Sequence, residues 1–119
     1  MIDSDVLLLL RTTIRSVWTL ELALLLWRSG ERAWRQRELV SELRASEGAI
    51  NEGLDRLLVE GLIRREADAY RFDPSPRNQA LFERLDLLNR ERPVAVLEVM
   101  FRRQDAVQSF ADAFKLKKD

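Results

Sequence analysis

The stretch from Trp34 to Pro74, WRQRELVSELRASEGAINEGLDRLLVEGLIRREADAYRFDP, decides the fold of this chain. Its first part, residues 35–44, carries apolar side chains at helical spacing with charged side chains between them, which predicts a short amphipathic helix. Ser46 is a good N-cap for a second helix of about four turns. Gly61 supplies the stop signal for that helix. The stretch therefore predicts two helices joined by a tight turn.

Two short strands are predicted directly after the second helix. Leu62 to Glu66 and Tyr70 to Phe72 read as strands, joined at Ala67 to Ala69 and closed by Asp73-Pro74. Strands this short are not stable alone in water and need a helical surface over their apolar face. Residues 33–34 are expected to lie extended as a small strand beside this hairpin.

The order helix, turn, helix, hairpin resembles the winged helix-turn-helix domain of bacterial transcription regulators such as the MarR-type families. The segment LDRLLVEGLIRR, residues 54–65, is similar to the recognition helix and the start of the wing in that superfamily. The resemblance covers residues 16–74. It implies a mainly α fold with a small β-hairpin (α+β), in which a winged helix-turn-helix core carries extra N- and C-terminal helices.

The flanks of this core are predicted to be helical, and the whole chain of residues 1–119 to form one domain. Residues 4–29 read as a long helical region with a break near residues 13–16, so that one flanking helix spans residues 4–14. On the C-terminal side, the flanking helices span residues 77–114. They comprise a helix that starts at Ser75-Pro76, an almost wholly apolar helix over 94–102 that is expected to be buried either inside the domain or between subunits, and a short helix over 104–114.

Composition limits the chemistry of the chain. The 119 residues include no cysteine and no histidine, which removes disulfides, thiolate nucleophiles, imidazole bases and the usual zinc ligands. We therefore expect no enzyme activity, no cofactor and no metal. Arg11, Arg15 and Glu21 interrupt the apolar stretch near the N-terminus, so no membrane span is expected, and the lack of cysteine favours the cytoplasm.

The resemblance implies that the second helix enters the major groove of DNA and that the hairpin touches the adjoining backbone. The 20 basic and 20 acidic residues balance, so contacts must come from local patches. On alternating strand positions, Arg64 and Arg65 are expected to point to opposite faces. The residues expected to contact DNA are Arg35, Arg37, Asn51, Arg56, Arg64, Arg65 and Arg71. The alternative for each arginine is a solvated surface position or an ion pair with Glu31, Glu38 or Glu66.

An alternative hypothesis is a winged-helix protein-interaction module that binds no DNA. The outward face of the second helix carries Glu47, Glu52 and Asp55 against one arginine, which would suit a basic protein partner. Under the DNA hypothesis we expect a homodimer, because one small domain binds a half-site weakly. The three tryptophans, Trp18, Trp27 and Trp34, are read as core and interface residues, with the floor of a ligand site as the alternative.

Overall fold

The N-terminal helical region is broken into two helices, as the sequence predicts. The computed structural model describes residues 3–101. Helix α1 spans Ser4–Thr12 and helix α2 spans Val17–Arg28. Between them the chain leaves helical geometry, and the Ser16 hydroxyl caps α2 by accepting a hydrogen bond from the backbone N–H of Thr19 at 3.1 Å. The small hydroxyl residues at the junction therefore divide the apolar stretch.

The remaining elements form a mainly helical fold with one small sheet, which confirms the α+β class. In chain order they are β1 (Trp34–Arg35), α3 (Gln36–Leu43), α4 (Glu47–Val59), β2 (Ile63–Glu66), β3 (Ala69–Phe72) and α5 (Pro76–Glu91). A further helix, α6, covers residues 93–101. The sheet is antiparallel with strand order β1-β3-β2, so the predicted small strand does pair beside the hairpin.

The core forms where α2 crosses α4. Leu22 of α2 and Ile50 and Leu57 of α4 are fully buried. Gly53 lies at the crossing, where an added Cβ would come within 2.9 Å of Leu22 Cδ2 and 3.3 Å of Thr19 Oγ1. The absence of a side chain at this position lets the two helices approach closely and fixes which side of α4 faces inward.

The hairpin is one residue tighter than the sequence predicts. Ala67 and Asp68 form a two-residue turn, with Ala67 at φ +56°, so that β3 begins at Ala69 instead of Tyr70. Ile63 pairs with Phe72, and both are buried. Because residues directly opposite each other share a face of the sheet, this pair fixes which face points to the core.

Two buried polar side chains attach α5 to the rest of the fold. The Asn78 amide donates to the main-chain carbonyls of Gly61 and Asp73, both at 2.9 Å. The Asp86 carboxylate accepts from Arg28 of α2 at 2.7 Å and pairs with Arg90 at 3.0 Å. These contacts satisfy groups that would be costly to bury alone.

Within the domain, the segment expected to be buried is covered on one side only over residues 94–101, and burial of its other side between subunits stays a prediction. Val96 and Met100 are buried, but Val94 is 65% exposed and Phe101 is 44% exposed. The cause is the position of α6 at the edge of the fold, where only one side of the helix meets the core. The helix predicted over residues 104–114 lies outside the described residues. No helix within residues 3–101 is long and apolar enough to cross a membrane.

Candidate nucleic-acid interface

Helix α4 presents a polar face to solvent. Ser46 caps the helix by accepting from the backbone N–H of Ala49 at 3.1 Å, and the apolar side of α4 packs against α2 and α3. The opposite side is solvent-facing over three turns. Its exposed residues are Glu47, Gly48, Asn51, Glu52 and Asp55, with Arg56 half-buried at their edge and the apolar Val59 exposed at the C-terminal end of the helix. This is the face that the sequence predicts to point outward.

The charge on that face is acidic. The only basic side chain there is Arg56, and its Nε lies 3.4 Å from Glu52 Oε1 in an i,i+4 ion pair. Within residues 3–101, Glu47 and Asp55 have no ion-pair partner. Asn51 lies one turn from each of these two carboxylates and carries both donor and acceptor groups. The face therefore supplies hydrogen-bonding groups and little positive charge.

The start of α3 carries one arginine in an ion pair and one without. Arg35 is the N-cap residue, and its Nε lies 3.4 Å from Asp68 Oδ2 at the tip of the hairpin. The backbone N–H of Arg35 donates a hydrogen bond to Glu38 Oε1 at 2.8 Å. Arg37 is exposed and has no ion-pair partner among the residues that the structure describes. Of the two, Arg37 is the one available to an external anion without exchange of a partner.

Arg64 and Arg71 lie directly opposite each other on β2 and β3. Both contact the same atom, Glu66 Oε1, with Arg71 Nη1 at 3.4 Å and Arg64 Nε at 3.6 Å. Arg64 is 48% exposed, whereas the Arg71 side chain is only 15% exposed. The Arg71 Nε is buried and finds no hydrogen-bond partner within the described part of the chain. Since like charges directly opposite are destabilising, Glu66 is the residue that makes this pair tolerable.

Arg65 points to the other face of the sheet, as the alternation predicts. It pairs across the strands with Tyr70, and its guanidinium carbon lies 5.8 Å from the centre of that ring. Its Nε donates to the carbonyl of Ala67 at 3.0 Å. Arg65 therefore does not share a surface with Arg64 and Arg71.

Strand β1 brings Arg35 onto the same face of the sheet as Arg64 and Arg71. Arg35 lies opposite Ala69, which in turn lies opposite Glu66, and residues two apart on a strand share a face. We call this set, Arg35, Arg64 and Arg71, the arginine face. It points away from the core, because the buried residues of the hairpin lie on the opposite side.

Two carboxylates at the hairpin tip pair with these arginines: Glu66, which the sequence gives as a possible ion-pair partner, and Asp68, whose pairing with Arg35 was not predicted. Glu66 and Asp68 neutralise the arginine face from within the hairpin. The alternation of strand residues contains a signal for Glu66, because it is two positions from Arg64. No local pattern places Asp68 beside Arg35, since that contact depends on the order of strands in the sheet.

The three tryptophans lie in three different surroundings. Trp34 is buried, donates from Nε1 to Ser29 Oγ at 3.0 Å, and has the Arg32 guanidinium 3.5 Å from its ring centre. Trp27 donates to Gln79 of α5 at 3.3 Å. Trp34 is therefore a core residue and Trp27 packs against the core. Trp18 is 42% exposed near the start of α2, so the expectation of a core residue is wrong there, and a place in an interface stays a prediction.

Among residues 3–101, no group of three or more acidic side chains is arranged to hold a metal ion. Comparison of the chain with protein families, with curated proteins and with solved structures finds no match.

Proposed function

We propose that this chain is a winged helix-turn-helix domain that binds duplex DNA as a transcription regulator of the bacterial, MarR-like kind. The proposal for the fold is supported by the order of elements from α2 to β3 and by the sheet order β1-β3-β2. In this arrangement α3 and α4 form the helix pair, and the hairpin of β2 and β3 is the wing.

The observation that carries the proposal is the outward side of α4 next to the hairpin. A capped helix of 13 residues exposes a row of polar side chains, and the hairpin beside it carries three arginines. Asn51 in the middle of the row has the amide that pairs with adenine, and a carboxylate such as Glu47 accepts from cytosine N4. The helix thus reads bases, while arginines at its sides contact phosphates.

The ion pairs on this surface weaken DNA binding without preventing it. Exposed pairs such as Arg35–Asp68 and Arg64–Glu66 are worth about 0–1 kcal/mol each, so a phosphate exchanges readily with the carboxylate. Arg37 needs no exchange. The acidic side chains of α4 subtract from sequence-independent affinity. We expect weak non-specific binding and a larger share of affinity from contacts with base edges.

The small contribution of phosphate contacts to the DNA affinity of one domain is a reason to expect a homodimer. Two domains on adjacent half-sites combine their affinities, which a single domain of this charge needs. The flanking helices supply apolar side chains for an interface between copies: Leu8 of α1 is 60% exposed and Leu87 of α5 is 48% exposed.

Salt-dependent binding to mixed duplex fragments tests the proposal. We expect micromolar or tighter binding at low salt, measured by fluorescence anisotropy, that weakens as salt rises. Arg37→Ala and Arg64→Ala should each reduce the affinity for DNA. Each should also lower the slope of log affinity against log salt by about one, which corresponds to the loss of one phosphate contact. Arg92→Ala, at an exposed position at the end of α5, removes the same charge and is the matched control. No binding at low salt would refute the proposal.

The acidic face of α4 favours one second candidate, a protein-interaction module that binds a basic partner and no DNA. Its supporting observation is that Glu47 and Asp55 have no cationic neighbour among the described residues. Replacing Glu47, Glu52 and Asp55 with alanine separates the candidates. The triple variant should bind mixed-sequence DNA more tightly if the domain is a regulator, because the carboxylates subtract from sequence-independent affinity. It should lose a basic partner recovered with the wild-type chain if the domain is an interaction module.

A further inference from the structure

The arginine face has more donors than its carboxylates use. Arg64 and Arg71 together offer ten N–H groups, and the ion pairs that join them to a carboxylate end on one oxygen of Glu66, at 3.6 Å and 3.4 Å. Both distances exceed the roughly 2.7–2.9 Å of a strong charge-assisted hydrogen bond. The buried Nε of Arg71 has no partner within the described part of the chain. A single carboxylate therefore holds these guanidinium groups incompletely.

We infer that Arg35, Arg64 and Arg71 form an oxyanion site for a backbone phosphate of nucleic acid, and that Glu66 and Asp68 fill this site in the free protein. The inference rests on the proposed function for the source of the phosphate, but the site itself follows from the sheet.

The geometry of the hairpin explains why these two carboxylates can be displaced. Glu66 is the last residue of β2 and Asp68 is in the turn, with side chains 48% and 69% exposed. Neither carboxylate is buried, so its displacement from the arginines loses only the small interaction energy of an exposed ion pair. Phosphate oxygens accept bidentate hydrogen bonds from guanidinium groups, which the long contacts to Glu66 do not provide. The hairpin tip thus acts as an internal competitor for the anion.

The competition predicts that removing these two carboxylates changes the salt dependence of DNA binding more than removing two carboxylates elsewhere on the surface. Glu66→Gln/Asp68→Asn removes both competitors and keeps the shape of the side chains. We expect its affinity for duplex DNA to rise between about twofold and thirtyfold at low salt, since each exposed pair contributes about 0.2–1 kcal/mol. The slope of log affinity against log salt should become steeper by about one to two.

The matched control is Glu21→Gln/Glu83→Gln, which removes two exposed carboxylates on α2 and α5 that form no ion pair with the arginine face. An equal gain and an equal slope change in this control would overturn the inference, because net charge alone would then explain the result. Adding Arg64→Gln to the hairpin variant should reduce its gain, because Arg64 is one of the three arginines that the two substitutions release. A gain of the same size with and without Arg64 would also overturn the inference.

Nuclear magnetic resonance with inorganic phosphate separates the site from the proposed function. In Glu66→Gln/Asp68→Asn, millimolar phosphate should shift the Nε signals of Arg64 and Arg71 but not that of Arg92. If these signals shift while no variant binds DNA, the DNA proposal fails and the oxyanion site stands. If DNA binds with unchanged slope and the signals do not move, the site is wrong and the DNA proposal stands.

The hairpin is short, so its integrity is measured in the same samples. Trp34 lies on the strand next to β3, and its indole Nε1–H signal in the same nuclear magnetic resonance spectra reports loss of the sheet. Should the double variant lose the sheet, Glu66→Gln alone retains the Arg35–Asp68 contact. This single variant should steepen the salt slope by about one, and an unchanged slope would overturn the inference.

Discussion

Replacing Gly53 with alanine should destabilise the protein, although alanine is the better helix former. The added Cβ would come within 2.9 Å of Leu22 Cδ2 and 3.3 Å of Thr19 Oγ1. Leu22 is fully buried, so its methyl group has no free space to move into. Overpacking of this kind costs about 1–3 kcal/mol, while the gain in helix propensity is about 0.5–1 kcal/mol. We expect a net loss of about 1 kcal/mol in the free energy of unfolding.

The same helix supplies the matched control. Gly48 lies on the exposed side of α4, where an added Cβ meets no atom within 4 Å. Gly48→Ala should therefore stabilise the protein by about 0.5–1 kcal/mol. Urea unfolding followed by circular dichroism at constant m-value measures both variants. If Gly53→Ala stabilises as much as Gly48→Ala, the close crossing of α2 and α4 is wrong, and so is the assigned outward face of α4.

Three further substitutions test the attachments of the fold, each by urea unfolding. Asn78→Asp removes the amide that donates to two main-chain carbonyls and should lower the free energy of unfolding by about 2–4 kcal/mol. The control Asn51→Asp, at an exposed position, should change it by less than about 0.5 kcal/mol. Equal effects of the two substitutions would contradict the Asn78 contacts. Asp86→Asn removes the charge held between two arginines and should cost about 1–2 kcal/mol, less at high salt, whereas Glu83→Gln should be near neutral. Ser46→Ala should cost about 1 kcal/mol through loss of the α4 cap, and no change would show that the cap is dispensable.

Much of the fold could be predicted because its signals are local. The bounds of α2, Val17–Arg28, follow from a capping serine at one end and Ser29-Gly30 at the other. The hairpin and the start of α5 follow in the same way from turn and capping residues. The exposure of α6 could not be predicted, because an apolar sequence does not show how many neighbours a helix has.

The outward face of α4 could also be predicted, since helical periodicity alone separates Asn51 and Asp55 from the buried positions. The electrostatic state of the arginines could not. Arg35 contacts Asp68 only because β1 pairs with β3. The two residues are 33 positions apart, so the local spacing of residues in the sequence does not predict this contact. The sequence thus identifies the candidate DNA contacts one by one and Glu66 as a possible partner, but not the contact of Asp68 with Arg35.

The bridging amide of Asn78 also determines how the hairpin can move. Its two acceptors, the carbonyls of Gly61 and Asp73, flank the hairpin on its N- and C-terminal sides. One side chain on α5 therefore holds both ends of the hairpin together like a clamp. A clamped hairpin has no hinge at its base and cannot swing as a flap. Its remaining freedom is bending at the Ala67-Asp68 end, so main-chain amides should exchange with deuterium slowly beside the clamp and quickly at the far end.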